Sequence, residues 1–217
     1  LWKVRGPELK GSGVGVPWEG AWKRGIDAEP ARTWDVLEVT SGRENVAGAV
    51  RMAGGSAMVM RIAPEDLSSG RATSRIEDAR RWIKEGRFRW VHVGLRFPSL
   101  WSELAWRGQG GRPGKRRAWE RGIVANEEEC ARKVARALLA GAPTLRWSWA
   151  MGKGSRVLEL GEGHQLMAAP GAEARRVSSR AWGWRVRREI TLAGNLDGIW
   201  EAGRGCLEQQ PYEAKGP

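Results

Sequence analysis

Residues 35–42 read Asp35-Val-Leu-Glu-Val-Thr-Ser-Gly42, an apolar run that ends in a turn of small residues. Directly after it, four apolar residues between Val46 and Ala53 recur at i, i+3, i+4 and i+7, the spacing of a helix face. A strand that enters a helix through such a turn lets a ligand approach backbone N–H groups. The pattern therefore predicts the opening of a nucleotide-binding type of α/β unit.

The alternation continues along the chain. Residues 56–62 and 88–95 have the apolar, β-branched composition of buried strands, and residues 71–85 between them have helical spacing. Strands that alternate with helices at this spacing predict βαβ units. We therefore expect an α/β fold with a mostly parallel sheet and helices on both faces.

The second half of the chain is less regular. Residues 96–117 are rich in Gly, Pro and Arg, which is typical of a long functional or disordered loop. Beyond it we expect a helix at 126–140, a strand at 144–150, a short helical or extended piece at 155–160, a loop at 161–172, and one or two antiparallel strands within 175–196.

The composition also predicts three parts. Residues 1–33 are rich in Gly and Pro and lack a sustained period, so we interpret them as an irregular lead-in. Residues 34–200 form the predicted domain, and residues 201–217 are expected to be a disordered tail. The chain begins at Leu1 rather than Met, and we interpret it as a fragment whose targeting cannot be read.

The chain is strongly basic. It has 37 Lys and Arg against 25 Asp and Glu, a net charge of +12, and a pI of about 10.7. Such a charge favours DNA or RNA as a partner. Of its aromatic residues 14 are Trp, 2 are Phe and 1 is Tyr. Two accounts fit this bias: Trp as stacking platforms for bases, or drift under a G-rich mutational bias, which we favour.

Two basic segments are candidates for contact with nucleic acid. Lys and Arg side chains can hold phosphates while Trp rings stack on unpaired bases. A solvated surface is the alternative, since the whole chain is basic. The candidate residues are Lys115, Arg116, Arg117, Trp182, Trp184, Arg185, Arg187 and Arg188, with Arg175, Arg176 and Arg180 in the same cluster as the last five.

The cysteines and apolar runs limit other classes of function. Cys130 and Cys206 have neither CxxC spacing nor a nearby histidine, so a zinc site is not expected. Charged residues interrupt every apolar run before the roughly 20 residues that a membrane helix needs. We expect an intracellular protein without a membrane partner, and the nucleus is one compartment open to it.

The order of three segments resembles a known family. These segments are 35–42, Ala57-Met-Val-Met-Arg-Ile62, and Gly86-Arg-Phe-Arg-Trp-Val-His-Val-Gly-Leu-Arg-Phe-Pro-Ser-Leu-Trp-Ser102. Together they resemble S-adenosylmethionine-dependent DNA cytosine-5 methyltransferases, and most of all the divergent open reading frames of this type that are associated with retroelements. The resemblance covers about residues 34–196 and implies a Rossmann-like methyltransferase fold.

The resemblance also implies a cofactor site for S-adenosylmethionine. The family's L-E-L-F-S-G-x-G turn matches at Ser41 and Gly42, and its closing strand matches at Arg188-Glu-Ile-Thr-Leu-Ala-Gly-Asn-Leu196. An ordinary strand-to-helix turn is the alternative interpretation. The residues implied to bind the cofactor are Thr40, Ser41, Gly42, Arg61, Ile62, Gly94 and Leu95.

The chain departs from the family where the chemistry is done. Arg96-Phe97 replaces the Pro-Cys pair, so Phe97 occupies the nucleophile position and no catalytic residue is assigned. Ala150-Met-Gly152 replaces the E-N-P motif. Glu44 stands at the second glycine of the turn, and Arg61 stands where an acid would accept the ribose hydroxyls. Glu65 or Asp66 is a candidate substitute for that acid.

Three hypotheses remain at this point. The chain is a methyltransferase-like domain that does not methylate cytosine, a non-catalytic basic module that binds nucleic acid, or the product of a decayed reading frame. Of the two histidines, His92 lies in mid-strand, where we expect a packed residue rather than a general base, and His164 lies in the predicted loop.

Overall fold

A computed structural model of the chain describes residues 33–42, 46–97, 100, 118–141, 143–152, 154–178, 189–196 and 210–211. The chain divides into two units, residues 1–32 and 33–217, and the described residues belong to the second. The lead-in expected at residues 1–33 therefore lies outside the described residues, apart from its last position. The same holds for the expected tail at 201–217, apart from residues 210–211.

Strands and helices alternate along the second unit. The chain forms, in order, β1 (Trp34–Thr40), α1 (Val46–Met52), β2 (Ala57–Arg61), α2 (Pro64–Ser69), α3 (Thr73–Lys84), β3 (Phe88–Gly94), α4 (Ala118–Leu139), β4 (Arg146–Gly152), a 3-10 turn (Val157–Glu159), α5 (Gly161–Met167), β5 (Glu173–Ser178), β6 (Glu189–Gly194) and β7 (Gln210–Pro211). The predicted α/β class is confirmed.

The seven strands form one sheet in the order β2-β1-β3-β4-β6-β5-β7. The pairings of β1 with β2, of β1 with β3, and of β3 with β4 are parallel. The pairings of β6 with β4, of β6 with β5, and of β5 with β7 are antiparallel. The prediction of a mostly parallel sheet is therefore wrong, because the sheet is mixed. Even so, β1 to β5 all run in one direction, and only β6 and β7 run against them.

The short connection between β5 and β6 explains the reversal. Only residues 179–188 join the two strands. A parallel crossover needs a dozen or more residues, so strands joined by so short a segment pair as antiparallel neighbours. The expectation of antiparallel strands within residues 175–196 is confirmed.

Helices pack on both faces of the sheet. On one face α1 contributes Ala47, which is fully buried against Val36 of β1 and Ala57 of β2. On the other face α3 and α4 lie over the side chains of Val39, Val91 and Val93. A cavity of about 10 Å³, which is the size of one water molecule, lies between these apolar side chains. The side chains that line it are part of the core.

Three tryptophans belong to this core. Trp82, Trp147 and Trp149 are at most 2% exposed. These rings are therefore not available as stacking platforms for bases.

Two helices differ from their predicted bounds. The helix expected at 126–140 begins at Ala118, and residues 161–167, predicted to be loop, form α5, on which His164 is exposed. The helix α2 was not predicted. None of the described helices is both long and apolar enough to cross a membrane.

Candidate functional site

The strand order changes direction at β1. The chain passes from β1 to β2 on one side and then returns to β3 on the other side, so that β1 lies between them. In open α/β sheets, ligands bind in the crevice outside the carboxyl ends of the strands at such a point. The candidate site is therefore the carboxyl edge formed by the ends of β1, β2 and β3.

Several of the sequence-predicted cofactor residues come together at this edge. Thr40 pairs in register with Arg61 on β2 and with Gly94 on β3. The Oγ1 atom of Thr40 accepts a hydrogen bond from the Gly42 N–H at 3.1 Å and so closes the turn. The Oγ atom of Ser41 accepts one from the Arg96 N–H at 3.3 Å and ties that turn to the end of β3.

The predicted cofactor residues differ in exposure. Ile62 and Leu95 are 0% and 1% exposed, so their side chains are part of the core and only their backbones border the edge. Arg61 is exposed, Ser41 is partly exposed, and Gly42 is exposed. Among these residues, those that reach the surface are therefore Ser41, Gly42 and Arg61.

The two candidate acids near Arg61 have different surroundings. Asp66 on α2 forms ion pairs with Arg71 at 3.4 Å and with Arg75 at 3.6 Å. Arg75 also donates to the carbonyl oxygen of Arg61 at 3.0 Å. The Asp66 carboxylate is thus already engaged, whereas Glu65 is exposed. Of the two, Glu65 is the one that remains open to a ligand.

The residue that the resemblance aligns with the nucleophile, Phe97, lies inside the protein. Phe97 is 2% exposed, and its ring packs edge-on against Trp149 with the centroids 6.4 Å apart. Residues 150–152, which the resemblance aligns with the E-N-P motif, are the last three of β4. Cys130 is buried in α4, and burial raises the pKa of its thiol. A buried thiol with a raised pKa makes a poor nucleophile.

A row of polar side chains crosses the sheet beneath the edge. Glu38, His92 and Ser148 are aligned in register on β1, β3 and β4. Glu38 is 2% exposed and Ser148 is 0% exposed. Glu38 and Ser148 were not predicted to be parts of a site. The sequence did contain a signal for them, since each of these apolar strands has a polar residue in its middle.

Hydrogen bonds anchor both ends of this row. Oε2 of Glu38 accepts the Ala47 N–H at 2.7 Å and so fixes the first turn of α1. Oγ of Ser148 lies 2.8 Å from Nδ1 of His92 and accepts the indole N–H of Trp90 at 3.0 Å. The orientation of the His92 ring is therefore set by Ser148.

His92 is neutral at physiological pH. Burial lowers its pKa to about 4, against the smaller opposing effect of the Glu38 carboxylate. The ring is nevertheless partly exposed. Its Nε2 atom has no hydrogen-bond partner among the described residues. His92 is thus packed as expected through its Nδ1 atom, which contacts Ser148, whereas its Nε2 atom makes no such contact with the described residues.

Gly94 lies beside that nitrogen. A Cβ atom placed on Gly94 would lie 3.4 Å from Oγ1 of Thr40 and 3.8 Å from Nε2 of His92. Thr40 is itself buried, with only 4% of its surface exposed. Gly94 therefore packs close to both the Thr40 hydroxyl and the His92 ring at the end of β3.

Most of the residues predicted to contact nucleic acid are not among those that the structure describes. Lys115, Arg116, Arg117, Trp182, Trp184, Arg185, Arg187 and Arg188 lie outside the described residues, and so does Arg180. Arg175 and Arg176 lie on β5, where Arg175 pairs with Glu173 of the same strand at 2.7 Å.

The described residues contain no group of three or more His, Cys, Asp or Glu that could hold a metal ion. No protein-family model and no curated protein match the sequence.

Proposed function

We propose that the chain is a diverged methyltransferase-like domain of the DNA cytosine-5 type, of Rossmann-like methyltransferase fold, that no longer methylates cytosine. The observation that carries this proposal is the register of Thr40 with Arg61 and Gly94 where the strand order reverses. A reversal point with a Ser-Gly turn is where such folds bind nucleotide-type ligands. The common direction of β1 to β5 supports the finer fold assignment.

The loss of catalysis rests on the nucleophile. Cytosine-5 transfer needs a thiolate that attacks the base, and a phenyl ring has no nucleophilic atom. Phe97 takes that place in the sequence order and is turned into the core against Trp149. Cys130 is buried in α4 and is not a substitute.

Calorimetry with S-adenosylmethionine tests the ligand site. We expect binding to the wild-type chain and weaker binding to Gly94→Val, because the added side chain would crowd Thr40 and His92 at the end of β3. Arg89→Gln, at the other end of β3, is the control and should bind as wild type does. No heat and no thermal shift at millimolar cofactor would reject S-adenosylmethionine as the ligand.

A methyl-transfer assay tests the loss of chemistry. The wild-type chain, incubated with labelled S-adenosylmethionine and double-stranded DNA, should transfer no methyl group to cytosine. Incorporation of label into cytosine would overturn the proposal that the domain is inactive.

A second candidate function is a non-catalytic module that binds DNA or RNA. The net charge of +12 favours it. Binding through phosphates releases counterions, so the affinity should fall steeply as salt rises. Phosphate contacts lose much of their affinity between about 50 and 200 mM salt, so a binding constant that does not change over this range would exclude this candidate.

A cooperative melting transition would argue against the third hypothesis, that the chain is the product of a decayed reading frame.

A further inference from the structure

One edge of the sheet is formed by β2, which has β1 as its partner on the inner side. The Val36 N–H donates to the carbonyl oxygen of Ser56 at 3.1 Å, and the Ile62 N–H donates to that of Thr40 at 2.9 Å. In a parallel pair, the residues of a strand bond alternately towards the partner and away from it. The backbone groups that point away from β1 are therefore those of Ala57, Val59 and Arg61.

Arginine side chains hold the two outer carbonyl groups of this edge. Arg51, in the last turn of α1, donates from Nε at 3.3 Å and from Nη2 at 3.0 Å to the carbonyl oxygen of Ala57. Arg75, in the first turn of α3, donates from Nη1 at 3.0 Å to the carbonyl oxygen of Arg61. Asp66 forms an ion pair with Arg75 at 3.6 Å and so helps to hold it there. Each end of the β2 edge thus carries a guanidinium from a neighbouring helix.

The middle of the edge is not capped in this way. Among the described residues, none donates to the outward carbonyl oxygen of Val59 or accepts from its N–H. The Val59 side chain packs on the core beside Ala47, and this contact keeps the strand from turning those groups inward. Unpaired N–H and C=O groups on an edge strand are a template for another strand.

The sequence of β2 favours such pairing. Residues 56–62 read Ser-Ala-Met-Val-Met-Arg-Ile, with one charged side chain in seven residues and neither Pro nor Gly. Apolar segments of this length, with low charge and no Pro, are typical of strands that pair between molecules. Natural edge strands are protected by charged groups placed on the edge. Here the guanidinium groups on the outer carbonyls come from the helices rather than from β2 itself.

We propose that Arg51 and Arg75 protect the β2 edge and prevent a second copy of the chain from adding its own β2 there. An incoming strand must hydrogen-bond to the carbonyl oxygens of Ala57 and Arg61, so it must first displace both guanidinium groups. Pairing would also bring the arginines of the two copies together, where like charges repel. The proposal does not depend on which ligand the carboxyl edge binds.

Sedimentation velocity of the full chain over a range of concentrations tests this proposal. The variant Arg51→Met/Arg75→Met removes both guanidinium groups and keeps unbranched side chains. It should associate at a concentration about tenfold or more below that of the wild type, because hydrogen bonds from charged donors no longer compete with the incoming strand. Arg80→Met/Arg156→Met is the matched control. These two exposed arginines each pair with an acidic residue three positions away in the chain, and the control should behave as the wild type does.

Proline at position 59 tests where the association occurs. The Val59 N–H points away from β1, so proline there removes no hydrogen bond between β1 and β2 but takes a donor from the edge. Val59→Pro in the Arg51→Met/Arg75→Met background should return the association to the wild-type concentration. Hydrogen exchange gives a second readout. The Val59 N–H should exchange more slowly in the associated double variant than in the wild type, because it is then bonded to the second copy.

The outcomes decide the proposal. Association of the double variant at the wild-type concentration, or equal association of the Arg80→Met/Arg156→Met control, overturns it. Association that Val59→Pro does not reverse, or that leaves the Val59 N–H as fast to exchange as in the wild type, also overturns it, because the copies would then be paired elsewhere. Melting curves show whether each variant is folded. If a combined variant is not, the single substitutions Arg51→Met and Arg75→Met, read by the exchange of the Val59 N–H, apply the same test.

Discussion

The side chains of His92 and Ser148 join two parallel strands through one contact of 2.8 Å between Nδ1 and Oγ. Ser148 also accepts the indole N–H of Trp90, so one hydroxyl serves two rings of β3. Because Ser148 is fully buried, no solvent can replace it. This contact fixes the orientation of the His92 ring, and therefore the direction in which its Nε2 atom points.

Ser148→Ala should destabilise the protein. The change leaves the Trp90 N–H and one nitrogen of His92 without a partner, at a cost of about 1–3 kcal/mol. The free energy of unfolding, measured by urea denaturation at pH 7.5, checks this. Ser74→Ala, at an exposed position of α3, is the matched control and should change stability by less than about 0.5 kcal/mol. Equal stability of wild type and Ser148→Ala would show that the contact contributes nothing.

His92 should make stability depend on pH. Its pKa is about 4 in the folded protein and 6.5 as a free side chain. Between these values the unfolded chain binds a proton that the folded chain does not. The free energy of unfolding therefore falls as the pH drops from about 6.5 towards 4, by up to about 3 kcal/mol in total. Above pH 6.5 this contribution is constant.

Urea denaturation between pH 7.5 and 4.5 measures this slope. His92→Gln should remove the His92 part of it, while His164→Gln, at an exposed position of α5, should leave that part in place. The Asp35 carboxylate does not interfere in this range, because hydrogen bonds from Ser56 hold its pKa below 3.8. The same slope in wild type and His92→Gln would contradict the assignment.

The sequence predicted the first half of the sheet well. The apolar runs at residues 36–39 and 91–93 form strands, and they are parallel neighbours in one sheet. The local pattern is sufficient there because both segments are dense in Val, which favours strands, and because their apolar residues are buried in β1 and β3.

Glycine misled the prediction at α5. Residues 161–172 contain three glycines, which favoured a loop. Yet Gly163 is helical and buried, and a Cβ atom on it would lie 2.4 Å from the carbonyl oxygen of Val157. Glycine is needed at this position because the helix packs directly on the backbone of the 3-10 turn. Sequence spacing carries no information about such a contact.

The start of α4 was predicted too late because an acidic residue lies on the buried face of the helix. Glu127 is only 3% exposed, although its side chain is acidic. An acidic residue on the buried face interrupts the apolar stripe, so the periodic pattern appears to begin at Cys130. The helix in fact begins at Ala118.

The polar row could not be predicted for a different reason. Glu38, His92 and Ser148 are far apart in the chain and meet only through the register of β1, β3 and β4. Register depends on strand order and long-range packing, which local patterns do not determine. The sequence could place Ser41 and Gly42 in a turn, but it could not place His92 beneath them.

Two glycine-to-alanine changes should have opposite effects. On β6, a Cβ atom at Gly194 would lie 2.6 Å from the carbonyl oxygen of Trp147, so Gly194→Ala must push β4 and β6 apart. We expect a loss of about 1–3 kcal/mol. Gly122 lies within α4 and a Cβ atom there would touch nothing, so Gly122→Ala should gain about 0.5–1 kcal/mol. Thermal and urea denaturation check both signs, and a neutral Gly194→Ala would refute the close packing.

Cysteine placed at position 97, where the proposed family has its nucleophile, should not become reactive. Phe97 is 2% exposed and packs on Trp149, whereas its neighbour Arg96 is exposed. In a Cys206→Ser background, Arg96→Cys should react rapidly with a thiol reagent. Phe97→Cys should react at least about a hundredfold more slowly, as the buried Cys130 does, because reagents reach a buried thiol only when the protein opens.

Phe97→Cys should also destabilise the protein by about 2–4 kcal/mol, since it leaves a cavity beside Trp149. It should not gain methyl transfer to cytosine, because the new thiol would face the core and not the carboxyl edge. The labelling rate in native buffer measures how accessible each thiol is. Complete labelling of the introduced cysteine and of Cys130 in urea shows that both thiols are present and reactive once the protein is unfolded. If Phe97→Cys were modified as fast as Arg96→Cys, position 97 would open to solvent. Position 97 would then be part of the candidate site.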